Sequence, residues 1–189
     1  MNKIKIAISG IGAVGGYYGG LLAARYKDSE EIDIYFISRG ENLKKIREND
    51  GIEVKNSFLT IKAKPTLATD NPAEIGPVDY LFCCTKSYDL EKNIAQLAPV
   101  IGSKTVIIPL QNGVDIAERI QPLLPNNEIW KGCVYINSRL VRPGRVEKFT
   151  IKDRMFFGSK QGNKIRQKEL QEILANARIL TTIPDDIDL

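Results

Sequence analysis

Four places in this sequence of 189 residues bring together residue types that can do chemistry. Gly10-Ile11-Gly12-Ala13-Val14-Gly15 is a G-x-G-x-x-G run that directly follows an apolar segment and directly precedes an apolar stripe at helical spacing. In that context such a run cradles a dinucleotide. Gly10 allows the tight turn, Gly12 lets a pyrophosphate approach the backbone with no Cβ in the way, and Gly15 lets helix and strand pack closely. Ile11, Ala13 and Val14 complete a loop whose helix N-terminus offers free N–H groups and a positive dipole end to phosphates.

Ser38-Arg39-Gly40 stands where a second strand should end. A free ribose 2′-hydroxyl usually meets an acid there, whereas a 2′-phosphate needs a cation. Asp33 sits at the wrong end of that strand, and Arg39 can grip a phosphate through paired charge-assisted hydrogen bonds, which points to NADP(H) rather than NAD. Thr85-Lys86-Ser87 and Gln111-Asn112-Gly113 follow two further apolar runs and should also lie outside the carboxyl ends of strands. Lys86 can stabilise negative charge there, and Asn112 can hydrogen-bond ribose or substrate.

The elements that must position these loops alternate. Lys3–Ser9 reads as a strand entering a buried sheet, Val14, Tyr17, Tyr18, Leu21, Leu22 and Arg25 as a helix, and Ile32–Ser38 as a second strand. A short charged helix is expected over Glu41–Asp50, and Gly51–Ala63 suits a hairpin around Asn56-Ser57. Strands at Val78–Thr85 and Thr105–Leu110 flank a helix carrying Leu90, Ile94, Leu97 and Ile101. Another helix runs from Ile116 to Leu124 and stops at Pro125. Strands at Ile129–Leu140, Arg145–Ile151 and Arg154–Gly158 have connections too short for crossovers, so they should be antiparallel. A helix over Asn163–Ala177 and a strand over Arg178–Ile183 follow. This rhythm predicts an α/β, Rossmann-like doubly wound parallel sheet with antiparallel additions at one edge.

Composition removes other chemistries. With no histidine there can be no Ser-His-Asp or Cys-His pair and no His-ligated zinc within these residues. A net charge of +4, with no basic block longer than Lys44-Lys45, gives no footprint for nucleic acid. Cys83, Cys84 and Cys133 fit neither a disulfide framework nor a zinc site, and read as free thiols of a reducing compartment. No apolar run reaches membrane-spanning length. These features predict a soluble, cytoplasmic protein without nucleic-acid or membrane partners.

In combination, Gly10 to Gly20, Ser38-Arg39-Gly40, Thr85-Lys86, Leu110-Gln111-Asn112-Gly113 and Pro143-Gly144-Arg145-Val146 resemble the ketopantoate reductase (2-dehydropantoate 2-reductase) family, specifically its N-terminal cofactor-binding domain. The resemblance implies NADPH-dependent reduction of a 2-oxo acid, ketopantoate, to pantoate on the route to pantothenate and coenzyme A. It puts Gly10–Gly15 at the pyrophosphate, Arg39 at the 2′-phosphate, Lys86 near the nicotinamide, and Asn112 against both cofactor and substrate. It also implies that the proton donor is a lysine of a C-terminal helical domain, beyond Leu189, so that no catalytic residue lies in this chain. On that reading residues 1–183 are the NADP-binding domain and 184–189 begin the linker or first helix of a substrate domain absent here. The chain alone should then be inactive, and its uncovered apolar surface could pair it as a homodimer. Two other readings fit the same loops: the cofactor domain of another 2-oxo acid or opine dehydrogenase, and a non-catalytic nucleotide-sensing module.

Overall fold

The computed structural model describes residues 3–56, 59–86, 90–111, 113, 115–185 and 187. Five short apolar strands build its central sheet: β1 (Ile4–Ser9), β2 (Ile32–Ile37), β5 (Leu67–Thr69), β6 (Tyr80–Cys83) and β7 (Val106–Pro109). They run parallel in the order β5-β2-β1-β6-β7. β6 and β7 are buried throughout, and β1 over its last four residues. Ile6, Ile8, Tyr80, Phe82, Val106 and Ile108 join one core, while Ala7, Leu81, Cys83 and Ile107 join the other. This strict alternation is the two-residue period of a strand covered on both sides.

Helix α1 (Ala13–Arg25) covers the first face; α3 (Leu90–Gln96) and α4 (Ile116–Ile120) cover the second with Leu90, Ile94, Ile116 and Ile120. α2 (Gly40–Glu48) follows β2, and α5 (Lys164–Asn176) returns to the first face with Leu170, Ile173 and Leu174. The side chain of Asn163 caps α5 by accepting from the N–H groups of Ile165 and Arg166, as an N-cap Asn should.

α1 is enclosed on a second side as well. The hairpin β3 (Ile52–Lys55) and β4 (Thr60–Ala63) joins β9 (Ser138–Arg142) and β10 (Arg145–Lys148) in a four-stranded sheet ordered β4-β3-β10-β9. Its inward residues Ile52, Val54 and Val146 are buried in the core that α1 shares with the central sheet. Glycines allow the helix to fit. A Cβ at Gly16 would lie 2.6 Å from Val146 Cγ2, one at Gly20 2.2 Å from Val54 Cγ2, and one at Gly19 3.1 Å from Phe36. Gly16 and Gly20 therefore face the four-stranded sheet, and Gly19 faces the parallel one.

Where this sheet meets α1, Lys148 is ion-paired with Asp153 and sits over the ring of Tyr17; both charged side chains are about nine-tenths buried. Burial by itself would lower the Lys148 pKa, but the Asp153 partner and the Tyr17 hydroxyl outweigh it, and the ammonium is held above the ordinary lysine range.

The antiparallel additions divide between two places. The segment expected as one strand, Ile129–Leu140, breaks into β8 (Lys131–Tyr135) and β9. β8 forms a three-stranded sheet with β11 (Arg154–Gly158) and β12 (Thr181–Thr182), and a single parallel bridge, Ile107 to Ile129, ties its approach to the β7 edge. β9 and β10 leave that edge for β3, because Val146 pairs in parallel with Val54 and both side chains bury against α1. The tail expected as the start of a further helix is described only at Pro184, Asp185 and Ile187.

Alanine at position 20 would add about 1 kcal/mol of helix propensity. It would also force a Cβ against Val54, an overpacking cost of about 1–3 kcal/mol. Gly20→Ala should therefore lower the free energy of urea unfolding by about 1 kcal/mol; a raised midpoint would contradict the two-sided packing of α1.

Candidate functional site

β1 and β6 lie side by side at the centre of the sheet, yet the chain leaves β1 into α1 on one face and passes from β6 to α3 on the other. A crevice opens outside the carboxyl ends of strands wherever successive connections part in this way. Here it is a cleft of about 670 Å³, bounded by Ser9 at the end of β1, Ile37 at the end of β2 and Cys84 beyond β6. That volume lies inside the range usual for small-molecule and cofactor sites.

The glycine loop forms its floor. Gly10 has φ +91° and lies so close to the β6 loop that a Cβ would sit 2.9 Å from the Thr85 nitrogen. At Gly15 a Cβ would come within 2.2 Å of the Gly10 carbonyl oxygen and 2.9 Å of Cys84 Cβ, so the loop, α1 and β6 are in direct contact. Gly12 differs from both. A Cβ there would meet nothing within 4 Å, and Gly12 lines the cleft. Among the described residues no packing requires a glycine at that position; its missing side chain leaves space free above the loop.

The same point is the start of α1. Gly12 is the N-cap residue, no side chain caps the helix, and no acid occupies its first turn. The first N–H groups of an α-helix lack intrahelical partners, and the positive dipole end favours an anion. Ile11 is buried, Ala13 opens the helix, and Val14 packs against the core as a partly buried residue. The six residues of the motif thus form one loop-to-helix junction, Gly10–Gly12 in the loop and Ala13–Gly15 in the first turn of α1.

The cations converge on the same cleft. Arg39, exposed at the N-cap of α2, and Lys86, exposed after β6, both line it. Lys92 on α3 adds a third positive charge, against one carboxylate among the described lining residues, Asp70, which also lies 3.9 Å from Arg47. Asn112 lies outside the described residues. Its neighbour Gln111 is buried and donates from Nε2 to Thr85 Oγ1 at 3.1 Å, joining the ends of β6 and β7. The sequence reading missed Asn42, Asp70, Lys92 and Asn93 as cleft residues. A signal existed for Asn42, which stands in the first helical turn after Arg39. Asp70 carried none, because β5 is three residues long and escapes periodicity.

Among the described residues no group of three or more His, Cys, Asp or Glu could hold a metal, and no helix is long and apolar enough to cross a membrane. The model of the family "Ketopantoate reductase PanE/ApbA" matches residues 6–162. A crystal structure of 2-dehydropantoate 2-reductase from Porphyromonas gingivalis W83 superposes with a TM-score of 0.94 at 43% identity, over 99% of this chain and 66% of that one. A 2-dehydropantoate 2-reductase of Mesorhizobium japonicum is 27% identical over 97% of this chain and 61% of its own length. D-Mandelate dehydrogenase, in a ternary structure with NADH and anilino(oxo)acetate, shares the fold with a TM-score of 0.81 at 24% identity, over 97% of this chain and 58% of its own. The chain thus spans about three fifths of the length of these relatives.

The three cysteines are free thiols. Burial raises the Cys83 pKa to about 12 and pushes Cys84 higher still, with Cys83 adding to the shift. Cys133 is exposed on β8. A disulfide exchange reagent at pH 8 should therefore modify one thiol per folded chain quickly, at Cys133, and reach the other two only slowly or on unfolding. Three thiols reacting at one fast rate would contradict this placement.

Proposed function

The chain belongs to the ketopantoate reductase PanE/ApbA family, and from that premise we propose that it is the NADPH-binding portion of a 2-dehydropantoate 2-reductase. The observation that carries the coenzyme reading is Gly12, whose absent side chain leaves space that no described residue fills and that fits a pyrophosphate set on the uncapped start of α1. Bound NADPH would supply hydride for the C2 ketone of a 2-oxo acid.

The chain's own residues have binding and orienting tasks. The Gly10–Gly15 backbone holds the pyrophosphate, and Arg39 holds the 2′-phosphate. Lys86 and Asn112 serve the nicotinamide end, with Asn112 also touching substrate. Residues 1–183 act as the cofactor domain. The proton donor and most substrate contacts come from the part of the relatives that this chain's match does not span, so the chain alone should not turn over ketopantoate. A cytoplasmic, pantothenate-forming role follows from the same family reading.

One observation favours a second reading, an NADH-dependent 2-oxo acid reductase. Asp70 stands in the cleft wall as a carboxylate able to accept from a ribose hydroxyl, and the D-mandelate dehydrogenase of like fold carries NADH. Titration of NADPH and NADH into the chain separates the two. NADPH should bind more tightly, and Arg39→Ala should reduce that preference by about 10- to 100-fold, the worth of a charge-assisted hydrogen bond. Equal affinities before the substitution would favour the NADH reading. Gly12→Val, whose Cβ meets no described atom within 4 Å, should leave the unfolding midpoint nearly unchanged and abolish binding of both coenzymes. Undiminished binding would remove the glycine loop from the site.

A further inference from the structure

Asn42 lies in the first turn of α2, three residues after Arg39, and its side chain touches three separate segments around the cleft. Nδ2 donates to the carbonyl of Ile11 in the glycine loop at 2.6 Å and lies 3.4 Å from Ser38 Oγ at the end of β2. Oδ1 accepts from the N–H of Gly144 at 2.8 Å. The amide has one workable orientation, since a flip would set oxygen against the Ile11 carbonyl and NH2 against the Gly144 N–H. Gly144 is itself held. Its φ of +76° favours glycine, and its carbonyl accepts from Glu53 N–H in β3 at 2.8 Å. A line of hydrogen bonds thus runs from the four-stranded sheet through the Pro143-Gly144 turn and Asn42 to the glycine loop.

The Ile11 carbonyl matters because a trans peptide holds its C=O and the following N–H in one plane, pointing in opposite directions. Pinning that oxygen to Asn42 sets the direction in which the Gly12 N–H leaves the loop, away from α2. The Ile11 side chain is buried in the core, but no backbone hydrogen bond between described residues uses the Ile11 carbonyl or the Gly12 N–H, so Asn42 supplies the hydrogen bond that fixes the orientation of this peptide.

We infer that Asn42 is a positioning residue for the dinucleotide pyrophosphate: it locks the Ile11–Gly12 peptide and couples it to the β9–β10 turn, so that the start of α2 serves both ends of the adenosine half, Arg39 at the 2′-phosphate and Asn42 at the pyrophosphate loop. This rests on the cofactor reading of the cleft. It adds a residue outside the glycine motif and assigns the Pro143-Gly144 turn a part in coenzyme binding.

The test compares two ligands on the whole chain. NADPH contains the pyrophosphate; adenosine 2′-monophosphate carries the 2′-phosphate and lacks it. Asn42→Ala should weaken NADPH about tenfold, the effect of freeing one buried hydrogen-bonding group, and change adenosine 2′-monophosphate by less than about twofold. Asn42→Asp is the second variant, kept in case alanine unfolds the turn. Aspartate still accepts from Gly144 but offers the Ile11 carbonyl no donor. Titrated beside the wild type at high salt, so that its added charge is screened, it should show the same selective loss. A purely structural role would weaken both ligands together, and that result, or wild-type NADPH affinity in either variant, overturns the assignment. A wild-type chain that binds neither ligand would overturn the cofactor reading itself, and this inference with it.

Discussion

The architecture depends on one constraint, the thickness of α1. This helix lies between the parallel sheet and the four-stranded sheet, and the space left to it admits glycine but not alanine at several points. Gly16 and Gly20 allow Val146 and Val54 to close from one side, while Gly15 and Gly19 allow Cys84, Ile8 and Phe36 to close from the other. Interiors pack too densely for such contacts to relax without cost. A run of glycines that would weaken an exposed helix by about 1 kcal/mol each is here offset by burial on both faces.

That packing also fixes where the chemistry can be. Because Gly10 and Gly15 are wedged against the β6 loop, the N-terminus of α1 is held at the carboxyl ends of β1 and β6. Gly12, one turn of chain away from those contacts, is left facing open space. The second sheet then reaches the same loop by another path, through Gly144 and Asn42. Both sheets that enclose α1 therefore contribute to the shape of the glycine loop, and the cations Arg39, Lys86 and Lys92 line the same cleft.

Much of this was legible in the residues. The glycine motif, the buried strands at β1, β2, β6 and β7, the α1 stripe and the capped α5 all depend on local pattern, and local pattern is what periodicity reports. Arg39 and Lys86 could be placed at strand ends because the runs before them, though short, are strongly apolar. What escaped was non-local or short. β5 has three residues and follows Lys64-Pro65-Thr66, with no run to mark it. The departure of β9 and β10 from the β7 edge follows from a pairing between Val146 and Val54, ninety-two positions apart, which no window along the chain can contain. Asn42 lies in a segment whose pattern marks only a charged helix, and two of its amide partners, Ile11 and Gly144, stand 31 and 102 positions away.

The central claim is that the cleft above Gly12 takes one NADPH. Isothermal titration of the 189-residue chain with NADPH measures this directly. The account predicts a saturable isotherm with one site per chain, weakened by salt because the contacts to the phosphates are ionic. A chain that is folded by circular dichroism yet gives no saturable heat with NADPH would contradict it.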